Sequence, residues 1–284
     1  DVFCALFQFA WEMIQKGEHW LDLRDGIDRI QAELENLSTT TIRKRKGRFL
    51  EDSGWKDGLE TFGTQLIHLR TACYIVVASL SGCRNHELAY IQSEPFYSRE
   101  DDEGETYWWM KSRSDKTSEG YTEWMIPEAA VKALRVLERW AKPYHDDLKA
   151  EILRRTMVAP DDLEIAEAMR HRDALFFGED SKFDNQIRTL SIQSFNSGLL
   201  RFAQKFGIEW SLATHQFRRK FANYAARSQF GDLRYLKEHF NHWSMDMTLI
   251  YALNESQDLD LYLEIEDELD DLKVGVLEEW LHDD

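Results

Sequence analysis

Four short segments of this 284-residue chain carry side chains whose types and spacing suit work on an oxyanion. In residues 81–88, Arg84 stands at the start of a helical pattern, three residues before Glu87 and four before Leu88. Lys116 lies between Asp115 and Thr117 in a polar turn. His215 and Arg218 are three apart, which places them on one helix face. His242 precedes Tyr251 by nine residues, and Thr248 precedes it by three. Taken singly, these are an i,i+3 pair, a solvated lysine, a surface His and Arg, and a packed tyrosine. Taken together, they hold a candidate for each requirement of phosphoryl transfer. Those requirements are an in-line nucleophile, always-charged donors for the non-bridging oxygens, and groups to take and give a proton. A metal site is not indicated: His239, His242 and His215 have no carboxylate or cysteine at matching helical spacing beside them.

The elements that must position these groups follow from periodicity. Residues 2–16 read as a buried helix and residues 21–36 as a second, amphipathic one. Ser38 to Thr41 and the basic run Arg43, Lys44, Arg45, Lys46 and Arg48 read as a linker or exposed loop reaching Gly58. Residues 60–80 form a strong helical pattern that stops at Ser81-Gly82, and a new helix begins near Asn85. Residues 106–110 and 121–126, rich in aromatic and β-branched side chains, predict a β-hairpin, with a third strand near Phe96. Pro127 opens a helix through Trp140. Residues 143–190 read as loops with one or two short helices, and helical patterns return at 191–206, 215–228, 233–240 and 245–253. The expected fold is mainly α with a small antiparallel β-sheet.

The order and spacing of the four segments resemble the catalytic domain of the tyrosine recombinases, the phage integrase family. That family carries an Arg in a small-Gly-x-Arg-x-x-Glu-Leu turn, a Lys in a β-hairpin, a His-x-x-Arg, a His or Trp, and a Tyr nine residues later. Here these are Arg84 with Glu87, Lys116, His215 with Arg218, His242 and Tyr251, and Thr248 and Ala252 match the usual surroundings of the tyrosine. The resemblance covers residues 60–253. The chain departs from the pattern in having Phe240-Asn241-His242 where Leu-Gly-His is usual, a longer hairpin, and an insertion at 143–190. Lys111, on the preceding strand, competes with Lys116, which is favoured because it sits beside Thr117 in the turn.

The resemblance implies that Tyr251 attacks a DNA phosphate to give a 3′-phosphotyrosyl link while Arg84 and Arg218 grip the non-bridging oxygens. Lys116 would protonate the departing 5′-oxygen, His215 would accept the tyrosine proton, and His242 would hydrogen-bond the phosphate. Glu87 and Thr248 would support this set, with no ATP, metal or other cofactor. Double-stranded DNA is then the partner, with Arg43, Lys44, Arg45, Lys46, Arg219 and Lys220 as contacts to its backbone. A type IB topoisomerase and a non-cleaving DNA-binding module on the same fold are the alternatives.

The overall charge appears to oppose this reading. With 35 Lys and Arg against 52 Asp and Glu the net charge is -17. Thirteen of the acids, however, fall in residues 255–284 beside one lysine, while residues 201–237 hold eight basic side chains against two acidic ones. Local fields govern phosphate contact, because screening cuts exposed interactions beyond about 8 Å. Within the tail, Leu261, Ile265, Leu269, Leu272, Val276 and Trp280 form one apolar stripe, suited to packing on its own domain or on another protomer in a tetrameric synapse. The expected organisation is an N-terminal helical segment and basic linker (1–58), a catalytic domain (59–253) and an acidic C-terminal helix (254–284). Three cysteines without a CxxC pair fit a reducing, cytoplasmic setting. The longest apolar run, residues 72–80, is too short to span a bilayer, so no membrane partner is expected. A first residue of Asp1 rather than Met reads as a piece of a longer protein.

Overall fold

A computed structural model describes residues 2–100, 104–114, 120–180 and 186–226. The chain divides into two compact units, residues 1–214 and residues 215–284. Within the described residues the elements run α1 (Val2–Glu33), α2 (Thr39–Asp52), α3 (Gly58–Ser81), α4 (Asn85–Ala89), β1 (Phe96–Glu100), β2 (Thr106–Ser114), β3 (Gly120–Ile126), α5 (Glu128–Val158), α6 (Leu163–His171), β4 (Phe177–Asp180), β5 (Gln186–Thr189), α7 (Ile192–Lys205) and α8 (Thr214–Ala226). The fold is mostly helical with a small antiparallel sheet, as the periodicity predicts.

In the larger unit α3 is the central helix, buried on nearly every side from His68 to Ala78. It packs against α1, α5 and α7. Such a helix needs no amphipathic pattern, because every face meets protein. An aromatic cluster fixes its C-terminal half: Tyr74 lies 4.7 Å from Phe195 and 5.8 Å from Phe176, ring centre to ring centre.

Three expectations are corrected here. Residues 2–33 form one helix, not two, and Gly17 lies within it where a Cβ would come within 2.8 Å of Val136 on α5. The polar stretch Lys16-Gly17-Glu18 therefore marks a close helix approach rather than a break. The stretch after Ser38, expected as a loop, is helix α2, capped by Ser38 Oγ accepting from Thr41 N–H at 3.3 Å. Its basic residues occupy the outer face while Ile42 and Leu50 are buried. Finally, the helix after Pro127 does not end at Trp140 but runs to Val158, through Pro143.

A proline inside a helix removes the N–H that would bond the carbonyl four residues back. Here that carbonyl belongs to Arg139, and Arg24 of α1 supplies the missing donor. Its Nη2 donates to Arg139 O at 3.0 Å and its Nη1 to Trp140 O at 2.8 Å. Arg139 in turn ion-pairs with Glu18, Asp22 and Asp25 on α1. The rest of the 143–190 region is likewise more ordered than expected. Arg188 of β5 bridges Glu151 of α5 and Glu164 of α6 at 3.0 and 3.1 Å, and Arg155 joins Glu151 to Asp162. Burial raises the Glu151 pKa, but its bonds to Arg188 and Arg155 outweigh that and hold it below the usual carboxylate range.

The three-stranded sheet has order β1-β2-β3, all antiparallel, with Phe96 opposite Met110 and Met110 opposite Trp124. Strand alternation sorts the side chains: Met110, Ser112, Trp124 and Ile126 face inward, whereas Tyr107, Lys111, Glu123 and Met125 face solvent. In the second unit, the described residues are those of α8 from His215 to Ala226.

Candidate functional site

The Arg84 turn is built from the end of α3. Gly82 takes the left-handed conformation (φ 63°, ψ 13°), which closes the helix with its N–H bonded to Ala78 O at 3.1 Å. Ser81 Oγ donates to Val77 O at 2.7 Å and accepts from Cys83 N–H at 3.3 Å, fixing the two residues that follow. Arg84 is then extended (φ -70°, ψ 151°) and caps α4.

Glu87 ties this turn together. One carboxylate oxygen accepts the Arg84 backbone N–H at 2.6 Å and the other accepts Arg84 Nη1–H at 3.0 Å. Glu87 is 2 % exposed while the Arg84 side chain is 22 % exposed, so the carboxylate lies beneath and the guanidinium partly faces water. Ser112 Oγ of β2 donates to the Glu87 carbonyl, and Tyr74 Oη to Asn85 Oδ1 at 2.9 Å. Helix α4, only five residues long, is thereby anchored to both the sheet and the core. Among the described residues, the remaining Arg84 N–H groups make no hydrogen bond to protein. A planar guanidinium oriented in this way is suited to bidentate contact with an oxyanion.

Lys111 points elsewhere. It is on the outward face of β2, with Nζ 4.8 Å from the centre of the Tyr97 ring, while its neighbour Ser112 faces the Arg84 turn. Lys116 lies outside the described residues, as do His242, Thr248, Tyr251 and the tail stripe.

His215 and Arg218 are on α8, in the first turns of the second unit. His215 is exposed and Arg218 is buried, at 3 % exposure, beside the buried Phe217. Lys220 lies over the Tyr224 ring at 5.2 Å, one turn along the same helix, and both Arg219 and Lys220 are half-buried. On α2, Arg43 pairs with Glu60 at 2.5 Å and Arg48 with Asp52 at 3.9 Å, whereas Lys44 and Arg45 are exposed.

Thus the structure brings Arg84 and Glu87 into direct contact and His215 and Arg218 onto one helix. Ser112, Tyr74 and Asn85 position the Arg84 turn and were not singled out from sequence. Only the inward register of Ser112 on β2 hints at its part. No group of three or more His, Cys, Asp and Glu is placed to hold a metal among the described residues.

No family model matches the chain, and no curated protein matches it. Among solved structures, the chain is similar to the XerA recombinase, with 18% identity and a TM-score of 0.41, over 86% of this chain and 81% of that one. It is similar to the Tn1549 transposon integrase in complex with circular intermediate DNA, with 14% identity and a TM-score of 0.40, over 86% and 85%. It is also similar to the XerH site-specific recombinase bound to difH substrate, with 17% identity and a TM-score of 0.41, over 67% of this chain and 44% of that one.

Proposed function

We propose that this chain cleaves and rejoins DNA strands as a tyrosine recombinase, through a 3′-phosphotyrosyl intermediate. The observation that carries the proposal is the Arg84 turn, where a buried carboxylate fixes a half-exposed guanidinium whose remaining donors are open to an oxyanion. Arg84 and Arg218 stabilise the charge on the non-bridging oxygens in the transition state, where fixed donors give the largest benefit. Tyr251 is the nucleophile. His215 takes its proton, which a phenol of ordinary pKa near 10 retains at neutral pH. His242 hydrogen-bonds the phosphate, Thr248 supports the tyrosine, and Glu87 positions Arg84.

Lys116 is the proton donor to the leaving 5′-oxygen. The outward direction of Lys111 supports this choice over its neighbour on the strand. Arg43, Lys44, Arg45, Lys46, Arg219 and Lys220 contact the DNA backbone. The catalytic region spans residues 59–253, preceded by residues 1–58 and followed by the acidic segment 254–284. That segment docks between protomers of a tetrameric synapse, and the protein acts in the cytoplasm. No described helix is long and apolar enough to cross a membrane.

The test uses a library of duplexes of randomised sequence, nicked so that a cleaved fragment diffuses away, incubated with the chain in a metal chelator. A detergent-stable protein–DNA adduct is expected with the wild type and not with Tyr251→Phe. An adduct that persists in Tyr251→Phe, or no adduct from any pool, overturns the proposal.

A further inference from the structure

One feature of the larger unit has no part in the proposed reaction. Arg70 lies on α3, 11 residues before its last residue, Ser81, or roughly 16 Å along the helix axis from the end that leads into the Arg84 turn. It is 8 % exposed, its Nη1 donates to the carbonyl of Phe177, and its guanidinium carbon stands 5.3 Å from the centre of the Trp140 ring. Among the described residues no carboxylate comes within 4.0 Å of it. Burial, with the nearby Arg201 charge adding to it, lowers its pKa to about 10. The Glu179 carboxylate acts on it only from beyond ion-pair distance, and a buried guanidinium is costly unless it is closely paired.

Arg70 borders an open cleft of about 490 Å³. Tyr144 of α5, Glu179 of β4, and Ser194, Ser197 and Arg201 of α7 also line it. The volume is within the range of small-molecule sites. The walls offer two guanidinium groups and three hydroxyls, against the single exposed carboxylate of Glu179. Arg201 is exposed and lines the cleft, its Nε donating to Ser197 O at 3.2 Å, and among the described residues its terminal nitrogens make no hydrogen bond to protein. One buried and one exposed guanidinium, with two serine hydroxyls in the same lining, match an anionic head group.

We propose that this cleft binds the oxyanion group of a small molecule, a phosphate or a carboxylate, with Arg70 as the buried donor and Arg201 as the exposed donor. At 8 % exposure Arg70 is within reach of a small anion entering the cleft and is poorly accessible to a duplex backbone. The site is independent of the DNA-cleaving reading: it involves neither Arg84 nor Tyr251, and its test does not read cleavage.

The full chain is melted in chloride and then, at equal ionic strength, in inorganic phosphate, adenosine monophosphate or succinate. At least one of the three should give a saturable rise in Tm of about 2–5 °C. The arm that responds distinguishes free phosphate, phosphate monoester and dicarboxylate. The apparent Kd should weaken at least tenfold in Arg201→Gln, whose exposed position spares the fold, and in Arg70→Lys, which keeps the charge but loses the fork. If Arg70→Lys does not fold, Arg201→Gln alone decides. No rise with any of the three, or a rise whose apparent Kd changes less than twofold in Arg201→Gln, overturns the proposal.

Discussion

The coupling between Arg84 and Glu87 can be measured directly. Glu87 accepts two hydrogen bonds from one residue, 2.6 Å from the backbone N–H and 3.0 Å from Nη1–H, at 2 % exposure. Breaking a fully buried pair by removing one partner costs about 3–5 kcal/mol. Arg84 is 22 % exposed, so water partly solvates the orphaned guanidinium. Glu87→Gln, which keeps an acceptor for the Arg84 backbone N–H, is therefore expected near the lower limit, about 2–3 kcal/mol. Arg84→Leu leaves the buried carboxylate with its backbone donor and should cost about 3 kcal/mol. The double variant removes both charges and should be more stable than additivity predicts by about 1.5 kcal/mol. Urea unfolding of the four proteins, with the m-value confirmed to be unchanged, provides the cycle. A coupling below about 0.5 kcal/mol would refute the view that Glu87 holds the Arg84 side chain.

Two further perturbations probe the scaffold. Arg24→Met should destabilise the fold by about 3 kcal/mol, because the Arg139 carbonyl freed by Pro143 loses its donor. Adding Pro143→Ala to Arg24→Met should recover part of that loss by restoring the helical N–H; no recovery in thermal unfolding would count against the pairing. His68 is packed edge-on to Phe202, and burial, aided by the charges of Lys205 and Arg201, lowers its pKa from 6.5 to about 4. The unfolded chain therefore binds the extra proton first. Stability should be complete above pH 6.5 and decline as pH falls towards 4, more steeply in the wild type than in His68→Gln. Parallel stability–pH profiles for the two would show that His68 is not buried neutral.

Where local signals and tertiary packing agree, the sequence alone locates the elements. Gly82 ends α3, Ser191 caps α7 with its Oγ accepting Ser194 N–H at 3.2 Å, and alternating aromatic residues mark β2 and β3. The Arg84–Glu87 contact is legible too, because a helix start with a carboxylate three residues on is a local motif. The failures share a different cause. The helices expected at 2–16 and 21–36 are one, and the helix expected to end at Trp140 continues; Gly17 and Pro143 lie inside these helices, where Val136 packs on the one and Arg24 supplies the donor removed by the other. The basic face of α2 conceals a helix whose few buried residues, Ile42 and Leu50, give little periodicity. Arg70 was invisible for the same reason: one arginine in an apolar helix carries no signal until β4 and α7 form the cleft around it.

The clamp of α1 on α5 also has a timing consequence during synthesis. Arg24 and its acceptor Trp140 are separated by 116 residues, about 6–23 s of elongation at ordinary ribosomal rates. Through that interval the surface of α1 meant for α5 has no partner, including the buried guanidinium. α1 is thus covered in two steps, by α2 and α3 early and by α5 late. The nascent chain must pass through a stage in which α1 and α3 are present while the faces that meet α5 are still uncovered, a stage at which apolar surface is open to aggregation.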